Sequence, residues 1–249
     1  MVAANLDNTI GMQPLLKEHK ILNELAKGVM AMKSYVFPSV LQKEAIPVIK
    51  AKGKSSNVIV RYSSMSGVKL TVLLPLINQM LREVAINPTG EPRAVVILGH
   101  SGMRCTELEG FLKDLLTFCK DVIEVVDLYN GDKQENAIHL KRALTQTTTS
   151  SDPREAIRAR SKVFIATPIQ YLDVLKSKPA PFKVASLLLD KVDMHIALDL
   201  TTELLKIGEL SEPPIFKTII TTQFKGENAD ENETRIKKAL MGESKALII

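Results

Sequence analysis

Six short β-branched runs alternate with helical patterns along this chain, and that alternation restricts its fold more than any other feature. The runs are Asn57–Tyr62, Ala94–Leu98, Val122–Val126, Val163–Ala166, Ala185–Leu189 and Phe216–Ile220. Each has the length and apolar character of a buried strand. Helical periodicity lies between them at Val68–Val84, Cys105–Cys119, Lys133–Thr145, Ile169–Leu175 and Ile196–Lys206. Strands joined by helical crossovers pair in parallel, and a parallel sheet needs helices on both faces to be covered. The expected fold class is α/β, a parallel sheet with helices on each side.

Two further helical patterns, Pro14–Met32 and Val40–Ile49, precede the first strand. Turn chemistry marks loops at Lys52–Ser56, Asn87–Pro92, Thr145–Pro153 and Lys225–Glu233, with Thr145–Pro153 read as a flexible insertion. Ala246–Ile249 reads either as a last strand or as the start of a linker.

With 249 residues, 45% of them hydrophobic, the chain can bury a full core and reads as one large domain. A net charge of +5 arises from 33 basic and 28 acidic residues that are interspersed, which permits contact with phosphate backbones without a basic tail. Aromatic residues make up 4% and Trp is absent, so few rings are on offer for base stacking. Cys105 and Cys119 fall inside an apolar helical pattern and read as buried free thiols; His19, His100, His139 and His195 lack the spacing of a zinc site. No apolar run has the length of a membrane span.

In open parallel sheets ligands bind beyond the carboxyl ends of the strands, so the residues that follow each run are the candidates for chemistry. Leu187–Asp193 is an apolar strand ending in Asp-x-x-Asp, the place where a nucleotide-hydrolysing α/β domain holds magnesium. Between Asp190 and Asp193 stands Lys191, a cation in place of the carboxylate that would orient attacking water. After the first run, the segment Tyr62–Lys69 leads into a helix and can aim backbone N–H groups at an anion through Ser64, Ser66 and Gly67. The position after Gly67 is Val68 rather than lysine, and Lys69 is displaced by about 100° around the helix. Met65 stands where close approach favours glycine, so its side chain is expected to intrude on a phosphate. A plain strand–helix turn and a phosphate cradle both remain open for this segment, the turn being favoured.

Thr167-Pro168 fits a helix N-cap followed by proline at the first helical position. Gly53-Lys54-Ser55 precedes a strand instead of following one and has Val48 where a phosphate loop needs glycine, so it reads as a surface turn.

Taken in order, these segments resemble the first RecA-like domain of the DEAD-box RNA helicases from about Tyr35 to Phe224. Tyr35, Pro38-Ser39, Gln42 and Ile46-Pro47 resemble that family's glutamine motif, and Leu73–Ile77 is also similar. Asn130-Gly131 resembles its double-glycine RNA motif with one glycine kept. Ala166–Gln170 is similar to its Thr-Pro-Gly-Arg motif with the second half lost. Asp190–Asp193 takes the place of Asp-Glu-Ala-Asp, and Thr221–Gln223 that of Ser-Ala-Thr. At His100–Cys105 almost nothing of Pro-Thr-Arg-Glu-Leu-Ala survives.

The resemblance implies a RecA-like, P-loop NTPase type fold, with residues 1–33 as a helical extension, 34–249 as a single RecA-like domain and no second such domain. It implies ATP contacts from Gln42, which would read adenine, and from Ser64, Ser66, Gly67 and Lys69. Asp190 would hold Mg²⁺, and Gly131, Thr167 and Pro168 would touch RNA. Departures fall on the chemistry: Val68, Lys191, no aromatic residue before Tyr35 to stack on adenine, and no arginine near Gly102 or Gln170 to contact RNA phosphate.

The expected function is a non-hydrolysing helicase-like domain acting as an interaction or structural module in an RNA-processing or ribonucleoprotein assembly, with RNA and protein partners. ATP and Mg²⁺ would bind weakly if they bind. Alternatives are the N-terminal ATP-binding domain of a divergent helicase whose second domain is missing here, and an RNA-binding module without nucleotide. By family habit the setting is the nucleus or nucleolus, with a mitochondrial particle open if a presequence was removed.

Overall fold

The computed structural model describes residues 11–51, 57–63, 65–86, 93–132, 134–136, 138, 153–176, 183–210, 217–223, 231–242 and 247–249. Its strands are β1 (Val58–Tyr62), β2 (Arg93–Leu98), β3 (Glu124–Asp127), β4 (Ser161–Ala166), β5 (Lys183–Leu189), β6 (Lys217–Gln223) and β7 (Leu247–Ile248). They form one sheet in the order β3-β4-β2-β5-β6-β1-β7, and every neighbouring pair is parallel. The open choice at Ala246–Ile249 resolves as a strand: Leu247 pairs with Val58, and Ile249 exchanges backbone hydrogen bonds with Ile59 and Arg61.

The helices whose bounds are defined are α1 (Met12–Glu18), α2 (Asn23–Ala31), α3 (Val40–Ala51), α4 (Val68–Ile86), α5 (Gly102–Leu115), α6 (Pro153–Arg160), α7 (Pro168–Lys176), α8 (Val192–Ala197), α9 (Thr201–Leu210) and α10 (Glu231–Met241). Side chains alternate across the strands and build two apolar clusters, one on each face. Val58, Val60, Val95, Ile97, Val163, Ile165 and Leu188 join one cluster with α1 to α5. Ile59, Ala94, Val96, Leu98, Phe164, Leu187 and Leu189 join the other with α7, α9 and α10. This is the two-faced parallel sheet that β-branched runs without a polar side require.

Helix α4 is buried nearly all round, as a helix packed between the sheet and other helices must be. Helices α1 and α2 belong to the same apolar cluster through Met12, Leu15, Leu16, Leu25 and Val29.

Two expected helices are broken in the structure. The pattern Pro14–Met32 divides at residues 19–22, where Lys20 has φ +50°. The exposed backbone there is satisfied from afar: the Lys50 ammonium donates to the His19 carbonyl, Arg82 donates to that of Lys20, and Leu22 N–H donates to Asn78 Oδ1 at 2.9 Å. Ile196–Lys206 divides at Asp199, whose φ of +57° is a conformation that Asp tolerates better than most residues. Residues 153–160, at the end of the expected insertion, are helical. Most of that insertion and of the expected helix Lys133–Thr145 lies outside the described residues, as do the Gly53-Lys54-Ser55 turn and His139.

Gly28 fixes how α2 meets α5. A Cβ there would stand 2.0 Å from the Leu115 carbonyl oxygen, which is backbone and cannot step aside cheaply. Gly28→Ala is expected to destabilise the fold by about 1–3 kcal/mol, the usual penalty of overpacking, read as a lowered urea midpoint.

Candidate functional site

Because all strands are parallel, the segments after β1, β2, β5 and β6 open on the same edge of the sheet. They hold most of the expected site residues, and internal hydrogen bonds engage Gly67, Asp190, Lys191 and Asp193 among them.

Helix α3 starts with a capping box. Gln42 N–H donates to Ser39 Oγ at 3.2 Å, and Ser39 N–H donates to Gln42 Oε1 at 2.9 Å. From that position Gln42 Nε2 donates to the Gly67 carbonyl at 3.3 Å, and Ser39 Oγ–H donates to the Ser66 carbonyl at 2.6 Å. The box thus tethers the loop after β1. Gln42 is only 1% exposed, and its amide retains one hydrogen and one lone pair beyond these bonds. Gly67 at φ +76° leaves no room for a Cβ, which would lie 2.5 Å from Gln42 Nε2.

Met65 also has a positive φ, +63°, but its side chain is 93% exposed. It stands out in solvent instead of packing into the loop. Ser64 lies outside the described residues, and the Ser66 hydroxyl is buried without a hydrogen-bond partner.

Lys69, one position past the expected lysine, still faces this edge. Its ammonium stands over the Phe111 ring, 5.3 Å from the centroid. Burial lowers its pKa, and Arg104 lowers it further, while Glu107 and Asp190 oppose the shift.

Asp190 follows β5 and is buried, with its N–H bonded to the Leu98 carbonyl of β2. Its Oδ2 accepts from Nε of Arg104 at 2.7 Å, and Arg104 Nη1 reaches Glu107 Oε2 at 2.5 Å. Burial disfavours the guanidinium charge, but the hydrogen bonds and charges of Asp190 and Glu107 outweigh it and raise the Arg104 pKa. The same hydrogen bond from Arg104 lowers the pKa of Glu107.

An arginine does therefore lie close to Gly102, contrary to the sequence reading, but it is turned inward to Asp190. The signal was present: Arg104 sits on the buried stripe of α5 with Cys105, Leu108, Phe111, Leu112 and Leu115, and a charge on such a stripe requires a buried partner.

Lys191 takes a left-handed conformation, φ 59° and ψ 66°, as the N-cap of α8. Its N–H donates to Thr221 Oγ1 at 2.7 Å, and Gln223 N–H donates to Asp193 Oδ1 at 3.2 Å, so both ends of Asp190–Asp193 are fastened to β6. Behind them, the buried His195 has Nδ1 3.0 Å from the Lys191 carbonyl and no partner at Nε2. The His100 ring lies edge-on to it at 6.0 Å.

The expected RNA-contact residues form a second group, after β3 and β4. Thr167 and Gln170 cap α7 reciprocally: Thr167 Oγ1–H donates to Gln170 Oε1 at 2.7 Å and Gln170 N–H donates to Thr167 Oγ1 at 3.4 Å, with Pro168 first in the helix. Gln170 Nε2 also donates to the Tyr129 carbonyl at 2.8 Å, joining this turn to the Asn130-Gly131 loop. Cys105 and Cys119 are buried free thiols, and burial pushes that of Cys105 up to about 12. No described helix is long and apolar enough to cross a membrane.

Gln42→Ala is expected to lower stability by about 1 kcal/mol without any nucleotide present, since it removes a capping-box acceptor and the Gly67 tether; chemical denaturation measures it. His195 supplies a pH test. Burial is the main cause that lowers its pKa to about 4, against the opposing hydrogen bond to the Lys191 carbonyl. The unfolded chain takes up the proton first, near pH 6.5, so about 3 kcal/mol of stability is present above that pH and lost as pH falls toward 4. His195→Leu should flatten this part of the profile, as read from urea midpoints at pH 7 and pH 4.5.

No family model and no curated protein matches the chain. Solved structures do. Mss116p lacking its NTE and C-tail, bound to ssRNA and AMP-PNP, superposes with a TM-score of 0.71 at 17% identity, over 99% of this chain and 46% of that one. A DEAD box protein from Methanococcus jannaschii gives 0.66 at 14% identity, over 92% and 54%. The RNA helicase Prp28 from Chaetomium thermophilum, bound to ADP, gives 0.62 at 18% identity, over 89% and 47%. The chain spans about half the length of these proteins. Its fold is the RecA-like fold of the DEAD-box RNA helicases.

Proposed function

We propose that this chain is a helicase-like RecA domain that does not hydrolyse ATP and serves as an interaction or structural module in an RNA-processing or ribonucleoprotein assembly. The observation that carries this reading is the charge arrangement around Asp190. Arg104 takes its carboxylate, and Lys191 stands in the chain at the place where the family resemblance puts a water-orienting carboxylate. Gln42, the residue for adenine, is buried and already bonded to Ser39 and Gly67.

An interaction role fits the rim of the same edge, where Met65, Met103, Ile169 and Met194 are exposed after β1, β2, β4 and β5. Methionine side chains adapt readily to a partner surface. By the habit of the DEAD-box family, a nuclear or nucleolar particle is the proposed setting and a mitochondrial one the alternative, with RNA contact, where it occurs, through the Gly131 and Thr167 turns.

A second reading rests on Lys69, which keeps electrostatic contact with Asp190 and Glu107. In it, the chain is the ATP-binding half of a divergent helicase that needs a second domain.

Equilibrium binding of a fluorescent ATP analogue with Mg²⁺, with and without single-stranded RNA, separates the two, alongside an ATP turnover assay. The proposal expects no saturation below millimolar nucleotide and no RNA-stimulated turnover above an Asp190→Asn control. Micromolar binding that Asp190→Asn abolishes would transfer the lead to the second reading.

A further inference from the structure

Asp190 occupies the position assigned to a magnesium ligand, yet its carboxylate meets a cation of the chain's own. Arg104 Nε lies 2.7 Å from Asp190 Oδ2, the two side chains being 7% and 2% exposed. The other end of the guanidinium reaches Glu107, so one planar group spans two carboxylates.

The surroundings do not fit a divalent ion. Magnesium takes near-octahedral oxygen ligands and keeps several waters, which a buried, already paired carboxylate cannot accommodate. The remaining charged groups in electrostatic reach of Arg104 and Asp190 on this edge include Lys69 and Lys191, both cations. The second carboxylate, Asp193, accepts a backbone hydrogen bond from Gln223. Among the described residues no three His, Cys, Asp or Glu side chains converge as a metal site.

We propose that Arg104 is the resident counter-ion of Asp190, a fixed internal cation standing in place of a divalent ion, so that this edge of the sheet does not take Mg²⁺. The inference rests on the reading of Asp190 as the residue at the metal position, but it concerns the ion and not hydrolysis. Guanidinium suits the part, since it stays charged at any pH the fold survives and offers donors in a rigid fork. Arg104 acts here as a positioning residue. It holds Asp190 at the end of β5 and ties α5 to the loop that Thr221 and Asp193 fasten to β6.

Mn²⁺ alone, titrated into the full chain, tests this through paramagnetic broadening of the Asp190 and Lys191 amide signals and through the amount of free ion. The wild type is expected to show no saturable site below millimolar Mn²⁺. Arg104→Met keeps volume but frees Asp190, and should bind Mn²⁺ more than about tenfold tighter, with Mg²⁺ raising its Tm. Adding Asp190→Asn should cancel both gains. Broadening at Asp190 in the wild type at micromolar Mn²⁺, lost in Asp190→Asn, would overturn the proposal, as would a folded Arg104→Met chain that gains no Mn²⁺ site. If Arg104→Met does not fold, the wild-type titration decides alone. RNA-stimulated ATP turnover would end the non-hydrolysing reading, whereas Mn²⁺ seated on Asp190 of the free wild type would end this one, so the two failures are read separately.

Discussion

Parallel pairing of all seven strands brings their carboxyl ends to one edge of the sheet, and everything distinctive about this molecule follows from what was gathered there. A loop at such an edge has backbone groups that need partners, which in a ligand-binding relative of this architecture a ligand can supply. Here the chain supplies them itself. Gln42 and Ser39 hold the loop after β1, Arg104 holds the turn after β5, and Thr221 and Asp193 join that turn to β6. These five contacts close the edge with groups drawn from well-separated parts of the sequence.

The energetic weight of these contacts is uneven. The Arg104–Asp190 pair is costly to desolvate, so its net contribution to stability is small, yet removal of either partner alone leaves a buried charge and costs about 3–5 kcal/mol. Such a pair is difficult to lose in one step, which ties α5 and β5 to one another more firmly than its net energy implies. The backbone carries strain at the same place. Met65 and Lys191 both adopt left-handed conformations, each costing roughly 1–3 kcal/mol. At Lys191 the compensation is visible: its N–H has the Thr221 hydroxyl, and its carbonyl accepts from the N–H groups of Met194 and His195.

Much of this was legible in the amino-acid order. All six β-branched runs are strands with ends shifted by a few residues, because β-branched apolar runs between turn signals leave few other options. The Thr167-Pro168 helix start was equally local and came out as read. The breaks near Lys20 and Asp199 were not legible. The first depends on Lys50, Asn78 and Arg82, far away in sequence, and helical periodicity continues across both. Arg104 was overlooked for a related reason: its position on the stripe said that it was buried, but only the sheet order could say beside what.

By itself, then, the sequence determined the alternation of strands and helices, the parallel two-faced sheet that alternation demands, and the absence of a carboxylate between Asp190 and Asp193. These are properties of residue type and spacing along one stretch of chain. The tertiary structure decided that Gln42 spends its amide on Gly67, that Lys69 rests on Phe111, and that Asp190 has Arg104 as its counter-ion. Each of these joins residues 25 or more positions apart, and a side chain's partner at that separation is fixed by strand order and helix packing, which no local pattern encodes.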